Sequence, residues 1–573
     1  MKKKRFFIFC MLIQISCVFS QNINYKKVKS DIFQDDYKNS VIVLSEENTN
    51  GELLLVRSYK GTIVSQGEGF YIEYYDTNLK FKRAFEYSMN HPNYQKYNLI
   101  LGVFMMQNNI HFVEIYYDLN EKSFVCLDNI LSQDFSSTKK ELFRISRDEM
   151  KNYGKFNLQQ KFYDRTKEIW TNDNSGKINS ENELANLSGF HKVFFSGNNN
   201  YKKIIENENQ GNGSDIILVV NEQKNSFLVA LDFNQEEKDG LKLYLYDDKG
   251  NKKFETIYSN TIEDKKYFFQ NLQISEDGNF IYLLAKTYSF DAKKKNEGGK
   301  YFYEFTKISN YNQLTTTLNT NEHFVGSLNT FIHNDELTCL GFYSDVKDFK
   351  YSGICCFKID PNTLEVKSAN YNPFTEQFLF DKYGDSKPKD LKNLNIKKVF
   401  FTENNEILLN AEENYISQSG VVGYSGANNS PMQFGNSDKY YCYDDIVIGK
   451  LDALGTLQWA RNINKKQSTN DDDNSFISYT STIRNNKNYL FVNTKDKIKK
   501  LKNDRIEFGQ IRKNKSNLNV IQVDENGDFE YEEILDDEQN EVPFMVSKGA
   551  IIDNSVYFLG RKGRNKQLLK VTL

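Results

Sequence analysis

Residues 445–461 read DIVIGKLDALGTLQWAR, which is two strand-like runs separated by a short turn. The first run, residues 446–451, is apolar on both alternating faces, as in a strand that is covered on both sides. Asp452 and Gly455 suit the turn, because an Asp side chain bonds to the following backbone and Gly tolerates positive φ. The second run carries Trp459. The stretch predicts a hairpin, which is either part of an ordinary sheet or one copy of a repeat.

Two kinds of turn alternate along the chain, which indicates a repeat. The first kind is a short cluster rich in Asn, Asp and Gly between apolar strands, at residues 48–51, 107–109, 221–225, 276–279, 333–336, 403–406, 484–487 and 553–554. The second kind begins with Asp at a strand end, at Asp76, Asp247, Asp360, Asp452 and Asp524, with a degenerate copy near Ser309. In the second unit we expect Asp118 or Asp128 to take this position. Each unit therefore contains four strands.

Four antiparallel strands repeated every ~40–60 residues predict an all-β fold, a β-propeller of four-stranded antiparallel blades. The first kind of turn occurs eight times, so we expect seven or eight blades, with eight favoured. Stacked β-sandwiches also contain short, regularly spaced strands and are the alternative. The ordered alternation of the two turns favours the propeller.

The ends of the chain are expected to close the ring. The last unit lacks a fourth strand, because the sequence stops after LLKVTL at residues 568–573. An incomplete blade would leave an unpaired sheet edge, which is a liability. Residues 22–32 precede the first unit and can supply the missing strand. We therefore expect one propeller domain over residues 21–573, closed by its N- and C-terminal strands.

Two long insertions interrupt the repeat. The larger spans residues 133–189, where Ser137 or Thr138 followed by Glu141 resembles a helix start, so a helical insert is expected. The second, residues 417–439, is rich in Gly, Ser and Asn and falls between the second and third strands of a unit. Long loops in compact domains are often functional. We therefore predict a contact loop here, flanked by Tyr415, Tyr440, Tyr441 and Tyr443.

The first residues have the layout of a secretory signal peptide. Residues 2–5 are basic, and residues 6–19 form an apolar run that is too short to span a bilayer comfortably. We expect residues 1–20 to be removed and the remainder to be exported, as a periplasmic, outer-membrane-associated or secreted protein. The alternatives are a short membrane anchor and lipid attachment at Cys17. No later run is long and apolar enough for a transmembrane helix.

Charge and motif content argue against several classes of function. The 74 basic and 77 acidic residues give a net charge of -3, which offers no electrostatic footprint for nucleic acid. The five histidines form no metal-binding spacing, and the chain has no G-x-S-x-G elbow, phosphate-binding loop or dinucleotide fingerprint. We therefore expect no catalytic residues, no metal site and no cofactor.

Two local patterns have simple structural interpretations. The acidic segment at residues 524–528 places Gly527 fourth, whereas a calcium-binding EF-hand loop needs Gly sixth, so a hairpin turn is the better interpretation. Five cysteines follow the signal segment, and the number is odd, so at least one would lack a partner within the chain. The adjacent Cys355 and Cys356 should point to opposite faces of a strand as buried small side chains.

Two tracts resemble known repeat proteins. Residues 274–286, ISEDGNFIYLLAK, resemble the S-x-D-G-x-x-I motif of bacterial propeller repeats. Residues 440–467, YYCYDDIVIGKLDALGTLQWARNINKKQ, and the C-terminal strands resemble uncharacterised exported β-propeller-like bacterial proteins. This resemblance implies a cell-envelope or secreted location and brings no catalytic residues.

The function expected from these patterns is that of a non-enzymatic binding or scaffold protein of the bacterial cell envelope. Its loops would engage a protein or glycan partner. The first alternative is a carbohydrate-active hydrolase with paired carboxylates at the propeller mouth. The second is a structural subunit of an outer-membrane or surface assembly, which predicts a large apolar patch on one rim.

Overall fold

The structure is a computed structural model. It describes residues 23–36, 39–48, 51–60, 68–151, 216–234, 238–261, 265–289, 301–320, 323–345, 350–387, 389, 391–419, 422–424, 431–433, 438–469, 474–495, 498–511 and 516–573. The expected signal segment and Cys17 lie outside these residues, as does the part of the larger insertion at residues 152–189.

The first three blades follow two short strands at the start of the described chain. Those strands are β1 (Lys26–Lys29) and β2 (Phe33–Gln34). Blade 1 consists of β3 (Asn39–Glu47), β4 (Leu53–Lys60), β5 (Glu68–Tyr75) and β6 (Phe81–Ser88). Blade 2 consists of β7 (Gln95–Met106), β8 (Asn109–Asp118), β9 (Ser123–Leu131) and β10 (Ser137–Ser146). Blade 3 consists of β11 (Ile216–Val220), β12 (Ser226–Asn234), β13 (Lys238–Asp247) and β14 (Lys252–Thr261).

The next three blades repeat the same order of strands. Blade 4 consists of β15 (Lys265–Ile274), β16 (Ile281–Ser289), β17 (Tyr301–Ile308) and β18 (Gln313–Leu318). Blade 5 consists of β19 (Phe324–His333), β20 (Glu336–Ser344), β21 (Gly353–Ile359) and β22 (Val366–Pro373). Blade 6 consists of β23 (Leu394–Phe401), β24 (Ile407–Ser419), β27 (Asp438–Leu451) and β28 (Leu457–Lys465), with a hairpin of β25 (Val422–Tyr424) and β26 (Pro431–Gln433), and β29 (Gln467–Thr469) paired to β27.

The last two blades and the helices complete the ring. Blade 7 consists of β30 (Tyr479–Arg484), β31 (Lys487–Thr494), β34 (Asn517–Val523) and β35 (Phe529–Leu535), with β32 (Lys499–Lys500) and β33 (Ile506–Phe508) inserted before β34. Blade 8 consists of β36 (Ala550–Ile552), β37 (Ser555–Lys562), β38 (Asn565–Thr572) and β1. Among the described residues, the helices are α1 (Arg147–Met150) and α2 (Glu376–Tyr383), with a 3-10 turn at Val546–Lys548.

The fold is the all-β propeller expected from the sequence. Seven blades are each formed by four strands in chain order, with extra strands inserted in blades 6 and 7, and the eighth combines three C-terminal strands with one from the N-terminal segment. Every residue of the third strands β21 and β34 is buried, because neighbouring blades cover both faces. Cys355 and Cys356 on β21 accordingly belong to two different hydrophobic clusters, one on each face.

Ring closure depends on the N-terminal strand. β1 lies within the segment expected to complete the last unit, and it pairs antiparallel with β38 from Lys26 opposite Thr572 to Lys29 opposite Leu569. Just after β2, Asp35 Oδ2 accepts hydrogen bonds from Arg57 Nη1 at 2.7 Å in blade 1. The N-terminal segment therefore joins the last blade to the first.

A buried group of charges supports this junction, and we call Asp35, Arg57, Glu73 and Lys566 the closure cluster. Arg57 binds Asp35 with both terminal nitrogens and binds Glu73 through Nε at 2.8 Å and Nη2 at 2.6 Å. Lys566 on β38 lies 3.8 Å from Asp35 and donates to the carbonyl of Gly563 at 3.0 Å. Each of the four side chains is at most 8% exposed.

The two ends of each sheet differ in the length of their connections. Turns between first and second strands, and between third and fourth strands, lie at the same end, and the longest, residues 275–280 and 360–365, have six residues. We call this end the tight-turn face. At the opposite end, the loop face, lie the described strand ends that flank every connection longer than six residues, including residues 374–393, 420–437 and 495–516.

The two turn types act as the sequence predicted. In the first type, Asn485 and Asn486 both have positive φ, as a two-residue hairpin requires. In the second type, the Asp452 carboxylate accepts the backbone N–H groups of Leu454 at 3.0 Å and Thr456 at 2.8 Å. Asp524 accepts two backbone N–H groups in the same way, so it begins a hairpin turn.

Trp459 of the opening stretch joins two blades. Its indole N–H donates to the carbonyl of Glu525 at 2.8 Å, in the Asp turn of blade 7. Gly527 in that turn has a φ of +86°, and a Cβ there would lie 2.9 Å from the Trp459 ring. The hairpin is therefore one copy of a repeat, and its aromatic residue packs against the next copy.

Two expectations about blade 2 were wrong. Residues 137–146 form the fourth strand, β10, so Ser137, Thr138 and Glu141 do not start a helix. The described residues that follow this strand form the four-residue helix α1, whose N-cap is Ser146. Neither Asp118 nor Asp128 begins the third-to-fourth turn, because Asp118 ends β8 and Asp128 lies inside β9. Ser132 occupies that position and accepts the N–H of Phe135 through its carbonyl.

Candidate functional site: a charged cleft on the loop face of blade 6

The four tyrosines of the expected contact loop lie on strands rather than on a loop. Tyr415 lies on β24 opposite Cys442, and Tyr440 on β27 is opposite Ser417, so both belong to the long hairpin that carries the insertion. All four are half-buried: Tyr415, Tyr440, Tyr441 and Tyr443. Within the insertion, residues 420–421, 425–430 and 434–437 lie outside the described residues. A contact role for this hairpin stays a prediction.

Two of these tyrosines form internal hydrogen bonds. The Tyr415 hydroxyl donates to Asp444 Oδ2 at 2.9 Å. The Tyr443 hydroxyl accepts from Asn474 Nδ2 at 2.5 Å, and burial raises the pKa of Tyr443 to about 12. These two hydrogen bonds therefore hold the hairpin to neighbouring residues, and Asp444, the partner of Tyr415, belongs to a group of carboxylates.

The middle strand of blade 6 is irregular at Asp444 and Asp445. Its pairing with β24 is continuous up to Ile446 opposite Glu412, and resumes with Tyr443 opposite Asn414. On its other side, β28 pairs up to Ile463 opposite Ile446, and β29 takes over with Gln467 opposite Tyr443. Both ladders are thus interrupted at the same place. Such bulges redirect side chains and are over-represented next to functional sites.

A short helix on the loop face brings a lysine to this bulge. Thr375 caps α2 by accepting the N–H of Phe378 at 3.2 Å, and Gly384 ends the helix with a φ of 75°. Lys382, in the last turn, contacts Asp445 Oδ2 at 2.6 Å and Glu413 Oε2 at 3.0 Å. We call Lys382, Glu413, Asp444 and Asp445 the cleft cluster.

Two arginines hold the helix in place. Arg461 on β28 donates through Nε to Asp381 Oδ2 at 2.6 Å. Arg505, from the insertion of blade 7, donates through Nη1 to the carbonyl of Lys382 at 2.8 Å. Since these contacts come from blades 6 and 7, α2 is fixed at the boundary between them.

Blade 6 also contains a fully buried ion pair beside the cleft. Lys465 Nζ lies 2.9 Å from Glu412 Oε1 and donates to the carbonyl of Tyr443 at 2.6 Å. The Lys465 backbone N–H donates to Asp445 Oδ1 at 2.9 Å. Asp445 is therefore held by three different groups, since Asn462 Nδ2 also donates to it at 3.1 Å.

These groups line a cleft of about 260 Å³. Its lining residues come from α2, β24, β27, the end of β28 and the blade 7 insertion: Lys382, Tyr383, Glu413, Asp444, Asp445, Asn464, Lys465, Lys466, Leu501, Arg505 and Glu507. The first strand of the blade, β23, supplies none of them. The cleft therefore lies on the outer part of the loop face, away from the propeller mouth.

The pKa values of the cleft carboxyls are raised. Burial raises the pKa of Glu413 to about 7, because Lys382 offsets it only partly and Asp445 repels a second negative charge. Burial also raises the pKa of Asp444, against the hydrogen bond from Tyr415. Lys382 is buried too, but Asp445 and Glu413 outweigh the burial and raise its pKa. Near neutral pH, Glu413 can therefore either donate or accept a proton.

Other candidate groups have structural roles. His111 Nδ1 lies 2.8 Å from Asp128 in the interior of blade 2, and the ring of His333 stacks on Phe401. The five described cysteines are free thiols, and burial raises the pKa of Cys126 well above its usual value. Within the described ranges, no group of His, Cys, Asp or Glu side chains is arranged to hold a metal ion. No helix in this part of the chain could cross a membrane.

The cleft cluster was not predicted from the sequence. Asp444 and Asp445 stand as a pair inside a strand-like run, without Gly or Asn to make a turn, and this was the one local signal of a bulge. Lys382 and Arg505 carry no such signal, because only the fold brings them to the pair.

No family model matches the chain, and no curated protein does. Among solved structures, the β-propeller domain of the Trilobed protease from Pyrococcus furiosus is 8% identical, with a TM-score of 0.29, over 74% of this chain and 93% of that one. An acylaminoacyl peptidase from Pyrococcus horikoshii is also 8% identical, with a TM-score of 0.29, over 81% of this chain and 60% of its own.

Prolyl oligopeptidase B from Galerina marginata is 9% identical, with a TM-score of 0.36, over 93% of this chain and 55% of its own. The chain thus spans less than two thirds of the length of either peptidase. At such identities and TM-scores, likeness to a peptidase carries no argument about activity.

Proposed function

We propose that this protein is an exported, non-enzymatic binding or scaffold protein of the bacterial cell envelope. It engages a glycan or protein partner through the loop face. The observation that carries the proposal is the asymmetry of the ring, because the described strand ends that flank every long connection lie on the same face as the charged cleft. The signal-like residues 1–20 support export. A rigid ring with variable loops on one side is suited to recognition.

The test is affinity purification of the tagged protein from its native envelope, with identification of the bound molecules. One variant replaces residues 420–437 with an Asn-Gly turn, which shortens the blade 6 hairpin. Its matched control is Leu454→Ser, a change to an exposed side chain on the tight-turn face. We expect the hairpin variant to lose the bound partner and the control to keep it. Identical sets of bound molecules for the wild type and the hairpin variant would contradict the proposal.

The second candidate is a carbohydrate-active hydrolase, and the cleft carboxyls favour it at a site on the outer part of the loop face rather than at the propeller mouth, where the sequence led us to expect it. A general acid for glycoside cleavage must be protonated near neutral pH, and the raised pKa of Glu413 meets that need beside Asp444 and Asp445. Such an enzyme would release reducing sugar from a polysaccharide. Both Glu413→Gln and Asp444→Asn should then abolish the release, whereas Asp248→Asn, in a turn of blade 3, should not. Activity that survives both cleft changes would exclude this site.

The third alternative, a structural subunit, has less support. Its large apolar patch would need neighbouring exposed apolar side chains. The most exposed of the described ones lie on separate blades: Phe81 on blade 1, Tyr311 on blade 4 and Leu454 on blade 6. Single exposed apolar residues are normal on a soluble surface.

A further inference from the structure

We propose that the cleft of blade 6 binds one neutral sugar unit of a glycan. This inference rests on the proposed function and selects a glycan rather than a protein as the partner. It follows from the balance of charges in the cleft, from its unused hydrogen-bonding groups and from its size.

The lining of the cleft carries both signs of charge in equal number. Four residues are basic and four are acidic: Lys382, Lys465, Lys466 and Arg505, and Glu413, Asp444, Asp445 and Glu507. Most of these charges already have partners inside the protein, since Lys382 binds two carboxylates and Glu507 binds Lys499 at 3.0 Å. An anionic ligand would face the carboxylates, and a cationic ligand would face the amines and the guanidinium. A neutral ligand avoids both of these like-charge contacts.

Three groups at the cleft retain hydrogen-bonding capacity. Within the described part of the chain, Asp444 Oδ1 and Glu413 Oε1 accept no hydrogen bond, because Tyr415 and Lys382 bind only the other oxygen of each. Lys466 is exposed at the rim, and its ammonium forms no hydrogen bond with a described residue. The cleft therefore offers acceptors and a donor together. A hydroxyl group uses both kinds, since it donates one hydrogen and accepts through two lone pairs.

The size of the cleft and its apolar residues fit one sugar ring. Its volume of about 260 Å³ lies below the ~300–1,000 Å³ of sites for drug-sized ligands, which suits a single ring. Tyr383 and Leu501 supply apolar surface beside the polar groups. A sugar ring has the same combination of apolar C–H faces and polar edges.

The inference is tested by saturation-transfer NMR and calorimetric titration of the full mature chain. The probes are the methyl glycosides of glucose, galactose, mannose and N-acetylglucosamine. The methyl glycosides of glucosamine and glucuronate serve as cationic and anionic probes, matched to methyl glucoside. We expect at least one neutral glycoside to bind, and both charged probes to bind about tenfold more weakly than their neutral parent.

Variants locate the binding. Asp444→Ala and Lys466→Ala each remove one unused hydrogen-bonding group, and each should weaken binding of the neutral glycoside about tenfold. Asp248→Ala is the control, because Asp248 lies in a turn of blade 3 on the tight-turn face. Circular dichroism and unfolding midpoints check that each variant is folded. If an alanine variant is not folded, Asp444→Asn replaces Asp444→Ala and Lys466→Gln replaces Lys466→Ala.

Three results would overturn the inference: no binding by any neutral glycoside, tighter binding of a charged probe than of its parent, or unchanged binding in both cleft variants. The proposed function fails separately. A partner that is captured through the loop face but is unaffected by Asp444→Ala would leave the binding function intact and remove the sugar site. Sugar binding without any partner from the envelope would do the reverse.

Discussion

The closure cluster is a buried group of charges and the cleft cluster is a half-buried one, and their pairing differs. In the closure cluster, Arg57 reaches Asp35 and Glu73 with several donors each, so both carboxylates are satisfied. In the cleft cluster, one ammonium, on Lys382, serves both Asp445 and Glu413. The first arrangement joins two blades, whereas the second leaves carboxyl groups with raised pKa values beside an open cleft.

The difference is one of chemistry as well as number. A guanidinium presents five donors in a plane and can hold two carboxylates with two bonds each, whereas an ammonium acts as a point charge. Burial opposes the charge on Arg57, but Glu73 and Asp35 outweigh it and raise the pKa of Arg57 further. A fully paired cluster is suited to a structural role, and an underpaired one is suited to binding or proton transfer.

The largest predicted effect comes from removing the central cation of each cluster. Arg57→Met removes the main partner of the buried Asp35 and Glu73, which keep, among the described residues, only Ser40 and the more distant Lys566, and Tyr75, respectively. The change should lower the free energy of unfolding by about 3–5 kcal/mol. Lys382→Met should cost less, about 1–2 kcal/mol, because Asp445 keeps its bonds from Asn462 and Lys465 and Glu413 can take up a proton. Denaturant unfolding curves measure both. Equal losses would show that the two clusters are not different in kind.

The pH dependence of stability should have opposite sign at the two clusters. The pKa of Glu413 in the folded protein, about 7, exceeds its ordinary value of 4.5, so the folded state holds this proton more tightly. The resulting stabilisation is full below pH ~4.5 and is lost as pH rises to ~7, at a cost of about 1–3 kcal/mol. Burial lowers the pKa of Lys566 from 10.5 to about 8, although Asp35 opposes the shift. Its penalty is present below pH ~8 and is relieved as pH rises to ~10.5.

Melting temperatures of paired variants separate the two effects. Glu413→Gln should be more stable relative to the wild type at pH 7.5 than at pH 4.5. Lys566→Met should gain most relative to the wild type below pH 8 and lose that advantage at pH 10. If the difference in melting temperature between a variant and the wild type is the same at every pH, the pKa of the replaced group does not change on folding.

A smaller effect concerns two glycines with positive φ: Gly384, which ends α2 near the cleft cluster, and Gly563, in the turn before β38 near the closure cluster. Gly384 has a φ of +75°, and a Cβ there would lie 2.9 Å from Arg505 Nη2, whereas Gly563 has a φ of +65° and open space around it. Alanine at either site incurs the backbone strain of about 1 kcal/mol. Gly384→Ala should cost about 1 kcal/mol more, because Arg505 must move from the end of α2. Thermal unfolding measures the difference, and equal costs would mean that Arg505 adjusts freely.

The smallest predicted effect tests one hydrogen bond of the cleft cluster. Tyr415→Phe removes the hydroxyl that donates to Asp444, and it should cost about 0.5–1.5 kcal/mol. Tyr440→Phe is the matched control on the same hairpin, since its hydroxyl forms no hydrogen bond among the described residues, and it should cost less than about 0.5 kcal/mol. Chemical denaturation at pH 7 compares the pair. A larger loss at Tyr440 would point to a partner outside the described residues.

Features that depend on a few consecutive residues could be predicted from the sequence. The turn at Asn485 and Asn486 needs positive φ, and the turn at Asp452 needs a side chain that accepts nearby N–H groups. Both requirements are met locally, so their repetition gave the blade pattern. The pairing partner of β38 followed from the missing strand of the last unit.

Features that depend on register or on distant segments could not. Ser137 followed by Glu141 matches a helix-cap pattern, yet cross-strand pairing with β9 places these residues in a strand. The true cap at Thr375 lacks the expected acidic residue three positions later, where Phe378 stands. The cleft combines Lys382, Glu413, Asp444 and Arg505, and no short pattern connects residues that are so far apart in sequence.

The pairing of β1 with β38 also determines the face of the ring on which the described chain begins and ends. Lys26 pairs with Thr572, and Thr572 pairs with Ser555, which directly follows the tight turn at residues 553–554. The described chain therefore begins and ends on the tight-turn face. A tether or a fusion attached near either end of the described chain would lie on the tight-turn face. The loop face, and with it the cleft, would then point away from the attachment.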